Sequence, residues 1–213
     1  MLTKLNDTEL RVIGCLAEKE LTTPDNYPLT LNSLVAACNQ KTNRDPVVEY
    51  DESDVESALD SLREKNLAYV FYGSTGRVPK YKHMLPSFYE LGPAETALMT
   101  VLILRGAQTP GELNQRSGRL FEFEGLGEVN ETLDSLAGRE EPLVRKLGRL
   151  PGQKEVRFVH LLAEKEFDDD EYQEQASRTV EPVSGGLTSE VARLREELDA
   201  LRAEFEEFKA QFE

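Results

Sequence analysis

Leu59-Asp60-Ser61-Leu62 recurs without change as Leu133-Asp134-Ser135-Leu136, and this repeat decides how the rest of the chain is read. In each copy the two leucines are three positions apart, so on a helix they lie on one side. The first copy sits in a segment that begins near Ser53, with Glu56 completing a capping box and Val55, Leu59 and Leu62 facing inward. Upstream, Leu31 to Asn39 reads as a second helix, with Leu31, Leu34, Val35 and Cys38 on one face. Further upstream, Asn6 and Glu9 cap a helix carrying Leu10, Ile13, Leu16 and Ala17. Downstream, Leu67 to Tyr72 is rich in β-formers, Gly73 to Gly76 is a turn, and Arg77 to Met84 returns as the second strand of a hairpin.

The second copy has the same order. Leu91 through Leu102 aligns with Leu5 through Leu16, matching Glu95 to Glu9. Thr109-Pro110-Gly111-Glu112 opens a helix with a capping box and proline in the first turn. A third helix covers about Gly127 to Gly138, and the strands Leu143–Leu147 and Val156–Leu161 flank Pro151-Gly152. Three helices and a hairpin, twice, predict a mainly α fold with small β-hairpins (α+β): two tandem winged-helix domains over 1–86 and 87–162. The copies differ in one interval. Leu34 to Val55 spans 21 positions, whereas Leu113 to Val129 spans 16. The stretch from Asn39 to Pro46 falls in the longer interval. Turn chemistry accounts for Asn39 and Asn43, and Pro46 is expected to stop the helix. Lys41 and Arg44 are left for another purpose.

The run Asn26-Tyr27-Pro28-Leu29-Thr30-Leu31-Asn32-Ser33-Leu34, followed by Asn39-Gln40-Lys41-Thr42-Asn43-Arg44-Asp45-Pro46-Val47, resembles the signature of the YceH-like family. That family is a group of uncharacterised bacterial proteins with tandem winged-helix domains. The similarity covers roughly residues 3–162. It implies the fold and brings no catalytic or binding residue with it.

Bulk properties narrow the function classes. The net charge is −15, but residues 163–213 hold 16 Asp and Glu against 6 Lys and Arg. Residues 1–86 hold 13 against 10 and residues 87–162 hold 11 against 9, so the predicted folded part is nearly neutral and nucleic-acid binding stays open. Cys15 and Cys38 lie in helical apolar patterns and are expected to be buried. With His83 and His160 far apart and no CxxC or HxxxH spacing, no metal site is expected. There is no phosphate-binding glycine loop, GxGxxG turn or GxSxG elbow, so neither an enzyme nor a cofactor is predicted. No apolar run approaches the ~18 residues that a membrane span requires, and the first residues lack a signal peptide's apolar stretch. A cytoplasmic protein is expected.

Two surfaces are candidates for recognition. A winged helix that binds DNA normally inserts its third helix in the major groove and lays the wing on the backbone. Here the third helices present Asp54, Glu56, Asp60 and Glu64, or Glu128, Glu131 and Asp134, which would repel phosphates. The wings differ: Arg77, Lys80, Lys82 and His83 lie beside Tyr69, Tyr72 and Tyr81, and Arg145, Lys146, Arg149, Lys154 and Arg157 face only Glu155. The sequence therefore predicts nucleic-acid contact through basic wings and the 39–46 loop, with Asn39, Gln40, Lys41, Asn43 and Arg44 as contact residues. The competing bland role for the wings is a solvated strand face with its aromatics packed inward. The competing function is a protein–protein adaptor that binds no DNA.

Residues 163–186 read as an acidic flexible linker. Beyond it Leu187, Val191, Leu194, Leu198, Leu201, Phe205, Phe208 and Phe212 are spaced 4-3-4-3-4-3-4, a heptad seam. Glu190, Glu197 and Glu204 flank one edge and Arg195, Arg202 and Lys209 the other. A parallel pair sets opposite charges across the interface and an antiparallel pair sets like against like, so parallel self-association through a 187–213 coiled coil is predicted, a homodimer first, with trimer or tetramer left open by the three seam phenylalanines.

Overall fold

Helix α1 (Asp7–Thr22) starts where Asn6 Oδ1 accepts the Glu9 N–H at 2.9 Å and Glu9 returns a carboxylate oxygen to the Asn6 N–H at 2.8 Å, closing the predicted capping box. A 3₁₀ turn at Pro24–Asn26 and the two-residue strand β1 (Leu29–Thr30) lead into α2 (Leu31–Cys38), capped by the Thr30 hydroxyl. Helix α3 (Glu52–Glu64) is capped two residues earlier than expected: Asp51 is the cap and Asp54 closes the box. Strands β2 (Ala68–Phe71) and β3 (Lys80–His83) follow, and β3 pairs antiparallel with both β2 and β1. This computed structural model describes residues 2–72, 78–148, 155–165 and 167.

The second half repeats the order: α5 (Pro93–Arg105), α6 (Pro110–Ser117), α7 (Leu126–Ala137), then the antiparallel strands β4 (Val144–Lys146) and β5 (Phe158–His160). The counterpart of β1 shrinks to one bridge, Gln108 to Phe158. Thr30, the last residue of β1, and Thr109, next to the bridging Gln108, each cap the following helix. Sequence patterning missed the short helix α4 (Leu85–Tyr89), in which the expected border at 86/87 falls.

The repeated tetrapeptide has a physical cause. Leu59, Leu62, Leu133 and Leu136 are all fully buried. Ser61 Oγ donates to Glu9 at 2.6 Å, and Ser135 Oγ donates to Glu95 at 3.0 Å. Four residues further on, Lys65 and Arg139 pair with those same glutamates at 2.7 Å and 2.8 Å. Each third helix is thus locked to the capping box of its first helix by a serine and a cation. Burial alone would raise the Glu9 carboxyl, but Lys65, Ser61 and the Asn6 N–H together hold it below the usual range.

The two halves pack through α1 and α5 into one contiguous apolar cluster, within a compact unit that spans Met1–Asp169. Gly14 makes the approach possible, since a Cβ there would lie 2.8 Å from Ile103 Cγ2 and 2.9 Å from Leu104 Cδ2. The start and end of the unit are tied by Leu5, whose N–H and C=O bond to Leu162 and Glu164, each at 2.8 Å. Among the described residues no helix is long and apolar enough to cross a membrane. Arg77, Arg149, Lys154, most of the 163–186 segment and the heptad positions Leu187 to Phe212 lie outside the described residues.

Candidate nucleic-acid interface

The polar loop after α2 is built differently from the expectation. Helix α2 stops at Cys38, well before Pro46, so proline is not what ends it. Two buried arginines receive its last carbonyls. Arg11 donates to Cys38 O at 3.2 Å and reaches Pro46 O at 2.5 Å. Arg44 donates to Ala37 O through Nε and Nη2, and its two terminal nitrogens grip Glu18 at 3.0 Å and 2.6 Å. Cations at a helix C-terminus satisfy orphan carbonyls and oppose the negative end of the dipole. Burial pushes the Glu18 carboxyl up, yet the Arg44 pair outweighs it and holds the group ionised below its ordinary value. Arg44 was expected on the surface as a phosphate contact, but its side chain is completely buried, so that assignment is corrected. Pairing with Glu18, 26 positions earlier, is what draws it inward.

Of the other loop residues, Asn39 clamps the far end, donating to Tyr50 O at 2.7 Å and accepting the Tyr50 N–H at 2.8 Å. Gln40 accepts from Arg44 and is half-buried. Asn43 takes the left-handed turn geometry expected of it, with φ 61°, and accepts from Arg105 of α5. The Asp45 N–H bonds to Leu104 O at 2.9 Å. The extension therefore bolts the first half to the second. Lys41 alone of the two loop cations remains exposed. Cys15 and Cys38 are fully buried behind this network, as expected.

The first hairpin carries an exposed face of aromatic rings and lysines. Tyr69 pairs with Lys82 and Phe71 with Lys80, and directly opposed residues share a face. That face points outward: Tyr69 is 39% exposed and Phe71 42%, with Tyr72 at 68% at the strand end. Ala68, Tyr81 and His83 alternate to the core side and are buried. The inward packing considered for the aromatics thus holds for Tyr81 and fails for Tyr69 and Tyr72. Lys82 also sits over the Tyr27 ring, 5.5 Å from its centroid, and 3.9 Å from Glu20. His83, grouped with the wing cations in the sequence, instead faces inward. Its Nδ1 accepts the Leu85 N–H, and its Nε2 lies 2.6 Å from a Glu20 carboxylate oxygen.

Among its described residues the second hairpin offers no equivalent. All of β5 is buried, Val159 included, and Arg145, cross-strand from Val159, donates to the Phe167 carbonyl at 3.1 Å. Arg157 points into the unit, bonding Glu112 at 2.6 Å and Ala107 O at 2.9 Å. Lys146 is exposed. On the third helices, Asp54, Glu56, Asp60 and Glu64 in one half and Glu131 and Asp134 in the other are exposed, so both helices present carboxylates to solvent. Among the described residues no group of three metal-ligating side chains forms. Sequence reasoning did not single out Phe71, whose place two residues after Tyr69 on a strand was the available signal.

A family model described as "Protein of unknown function, DUF480" matches residues 5–153. A UPF0502 protein of Opitutus terrae is 54% identical over 162 residues, covering 76% of this chain and 70% of that protein. UPF0502 protein GSU0233 of Geobacter sulfurreducens is 54% identical over 159 residues, covering 75% of this chain and 72% of that protein. UPF0502 protein YceH of Escherichia fergusonii is 44% identical over 213 residues, covering 94% of this chain and 97% of that protein.

Proposed function

Since the chain belongs to the DUF480 family, we propose a function from its own surface: a non-enzymatic, tandem winged-helix protein that binds nucleic acid through the first hairpin. The single observation that carries this reading is the outward ladder of Tyr69–Lys82 and Phe71–Lys80, continued by Tyr72. Aromatic rings offer stacking faces to unpaired bases, and lysines beside them meet the backbone. Such a surface suits single-stranded or locally opened nucleic acid better than a major groove. The acidic outer faces of α3 and α7 argue against groove insertion on the same grounds. Lys41 adds a cation, while Asn39 and Arg44 serve the loop itself.

The test is fluorescence anisotropy with a labelled single-stranded oligonucleotide at two salt concentrations. The variant Tyr69→Ala/Phe71→Ala is expected to lose tenfold or more in affinity, since each stacked base contributes about 1–3 kcal/mol. Wild-type binding weakens with salt as phosphate contacts release counterions. Equal affinity of variant and wild type, or no binding at low salt, removes this reading. The adaptor reading is favoured by the exposed carboxylates of α3 and α7, and it predicts capture of a protein partner unaffected by those two substitutions.

Self-association through the 187–213 heptad seam is proposed from the sequence register alone. A Leu194→Glu/Leu201→Glu variant should sediment as a monomer. Unchanged sedimentation would refute the coiled coil.

A further inference from the structure

A second basic feature lies where the two halves and the 39–50 loop meet. A cleft of about 510 Å³ is lined by Thr22 of α1, Asn43 of the loop, Arg105 of α5, Arg116 of α6, and Arg119 and Leu120 beyond it. Its size falls within the range of small-molecule sites. The cleft thus brings three guanidinium groups together. Among the described residues neither Arg105 nor Arg119 is paired with a carboxylate. Glu18 also lines the cleft but is held by buried Arg44, and the neighbouring Glu112 is shared by Arg157 at 2.6 Å and Arg116 at 3.7 Å.

Three carbonyls at the ends of α5 and α6 already have backbone partners. Leu104 O accepts the Asp45 N–H, Leu102 O accepts the Gly106 N–H, and Ser117 O accepts from Leu120 and Phe121. The Arg105 guanidinium lies below its ordinary value, first through burial and then through the Arg116 cation beside it. An anion in the cleft would relieve that repulsion. Guanidinium forks match phosphoryl oxygens in geometry as well as charge.

We propose that this cleft binds a phosphate-bearing ligand, with Arg105, Arg116 and Arg119 converging on its phosphoryl oxygens. The ligand's remainder rests against the polar wall formed by Thr22 and Asn43. Because the loop and both halves contribute to the cleft, occupancy braces the seam between them. This site is separate in sequence and structure from the aromatic hairpin and does not depend on it.

The probe is pyrophosphate, titrated into the full-length protein at constant ionic strength balanced with sodium chloride and read by thermal unfolding. Wild type should show a saturable rise in Tm, since a ligand that binds only the folded state stabilises it. Arg119→Gln should weaken the apparent affinity about tenfold, the worth of one charge-assisted hydrogen bond. Arg119 is exposed, so this variant keeps the unliganded Tm, and Arg105→Gln/Arg119→Gln should lower affinity further. Wild type and Arg119→Gln responding alike, or no rise beyond that of the chloride control, overturns the proposal.

Competition then identifies the source of the phosphate. If pyrophosphate displaces a labelled oligonucleotide, the cleft takes backbone phosphate; if it raises Tm without displacement, the cleft takes a free phosphorylated molecule. Tyr69→Ala/Phe71→Ala should leave the pyrophosphate response unchanged, so failure of the hairpin reading and failure of this one are distinguishable.

Discussion

The two halves of this molecule share a scaffold and differ in what they leave open. Both lock a third helix to a capping glutamate through Leu-Asp-Ser-Leu, and both end in a two-stranded hairpin with a buried histidine. The first half turns Tyr69 and Phe71 outward beside two lysines, whereas the second buries β5 and ties Arg145 to the Phe167 carbonyl. Among the described residues, one hairpin displays a face and the other packs as support. The loop extension, present only in the first half, belongs with the support. Its arginine, asparagines and main-chain N–H groups face inward or toward α5.

That division is broken most sharply at the loop's two cations. Arg44→Ala leaves half-buried Glu18 with only Lys19, 3.5 Å away, in place of its bidentate partner, and Ala37 O without two donors. Removing one member of a buried pair costs about 3–5 kcal/mol, and the partial exposure of Glu18 puts this variant at the lower end, about 3 kcal/mol. Lys41→Ala, at an exposed position, should stay within about 0.5 kcal/mol of wild type in urea unfolding. Comparable losses for the two variants would contradict the support role assigned to the loop.

The paired histidines supply the next contrast. His83 faces the Glu20 carboxylate, while the charged neighbour of His160 is the Lys4 ammonium. Burial, and then Lys4, press the His160 imidazole down from 6.5 to about 4. The unfolded chain therefore takes up a proton that the folded state refuses. This part of the stability is complete above pH 6.5, falls as pH drops, and levels off near pH 4. The full loss is about 3 kcal/mol, of which about 2 kcal/mol has gone by pH 5. Glu9, Glu18, Glu95 and Glu112, all held below 4.5, add losses in the same direction but only below that value. In His160→Gln the slope between pH 6.5 and 5 should flatten; an unchanged slope would show that another group titrates there.

Much of the scaffold was legible in the chain because it is written in local terms. Helix periodicity, capping boxes at Asn6 and Thr109, and the duplicated Leu-Asp-Ser-Leu each depend on residues within a few positions of one another. The site was less legible because its decisive contacts are distant. Nothing near Arg44 announces Glu18, and Arg105, Arg116 and Arg119 meet Asn43 only once both halves are packed. The hairpin's parity was readable as an alternation but its direction was not. Size alone would bury Tyr69 and Phe71, yet the core side takes the smaller Ala68 and Val70 beneath Tyr81.

The smallest effect tests the shared element itself. Ser61 donates at 2.6 Å to a Glu9 carboxylate that has no exposure, whereas Ser135 donates at 3.0 Å to Glu95 from an exposed position. Losing a donor to a buried charge costs about 1.5 kcal/mol, and the same loss near solvent, where water takes the vacated site, about 0.5 kcal/mol. Ser61→Ala should therefore destabilise more than Ser135→Ala by about 1 kcal/mol in matched urea melts. Equal costs would mean that Lys65 and Arg139 hold the glutamates unaided and that the serines only fill space. A larger cost for Ser135→Ala would place the more critical lock in the second half, against the contrast between a supporting repeat and a displaying one.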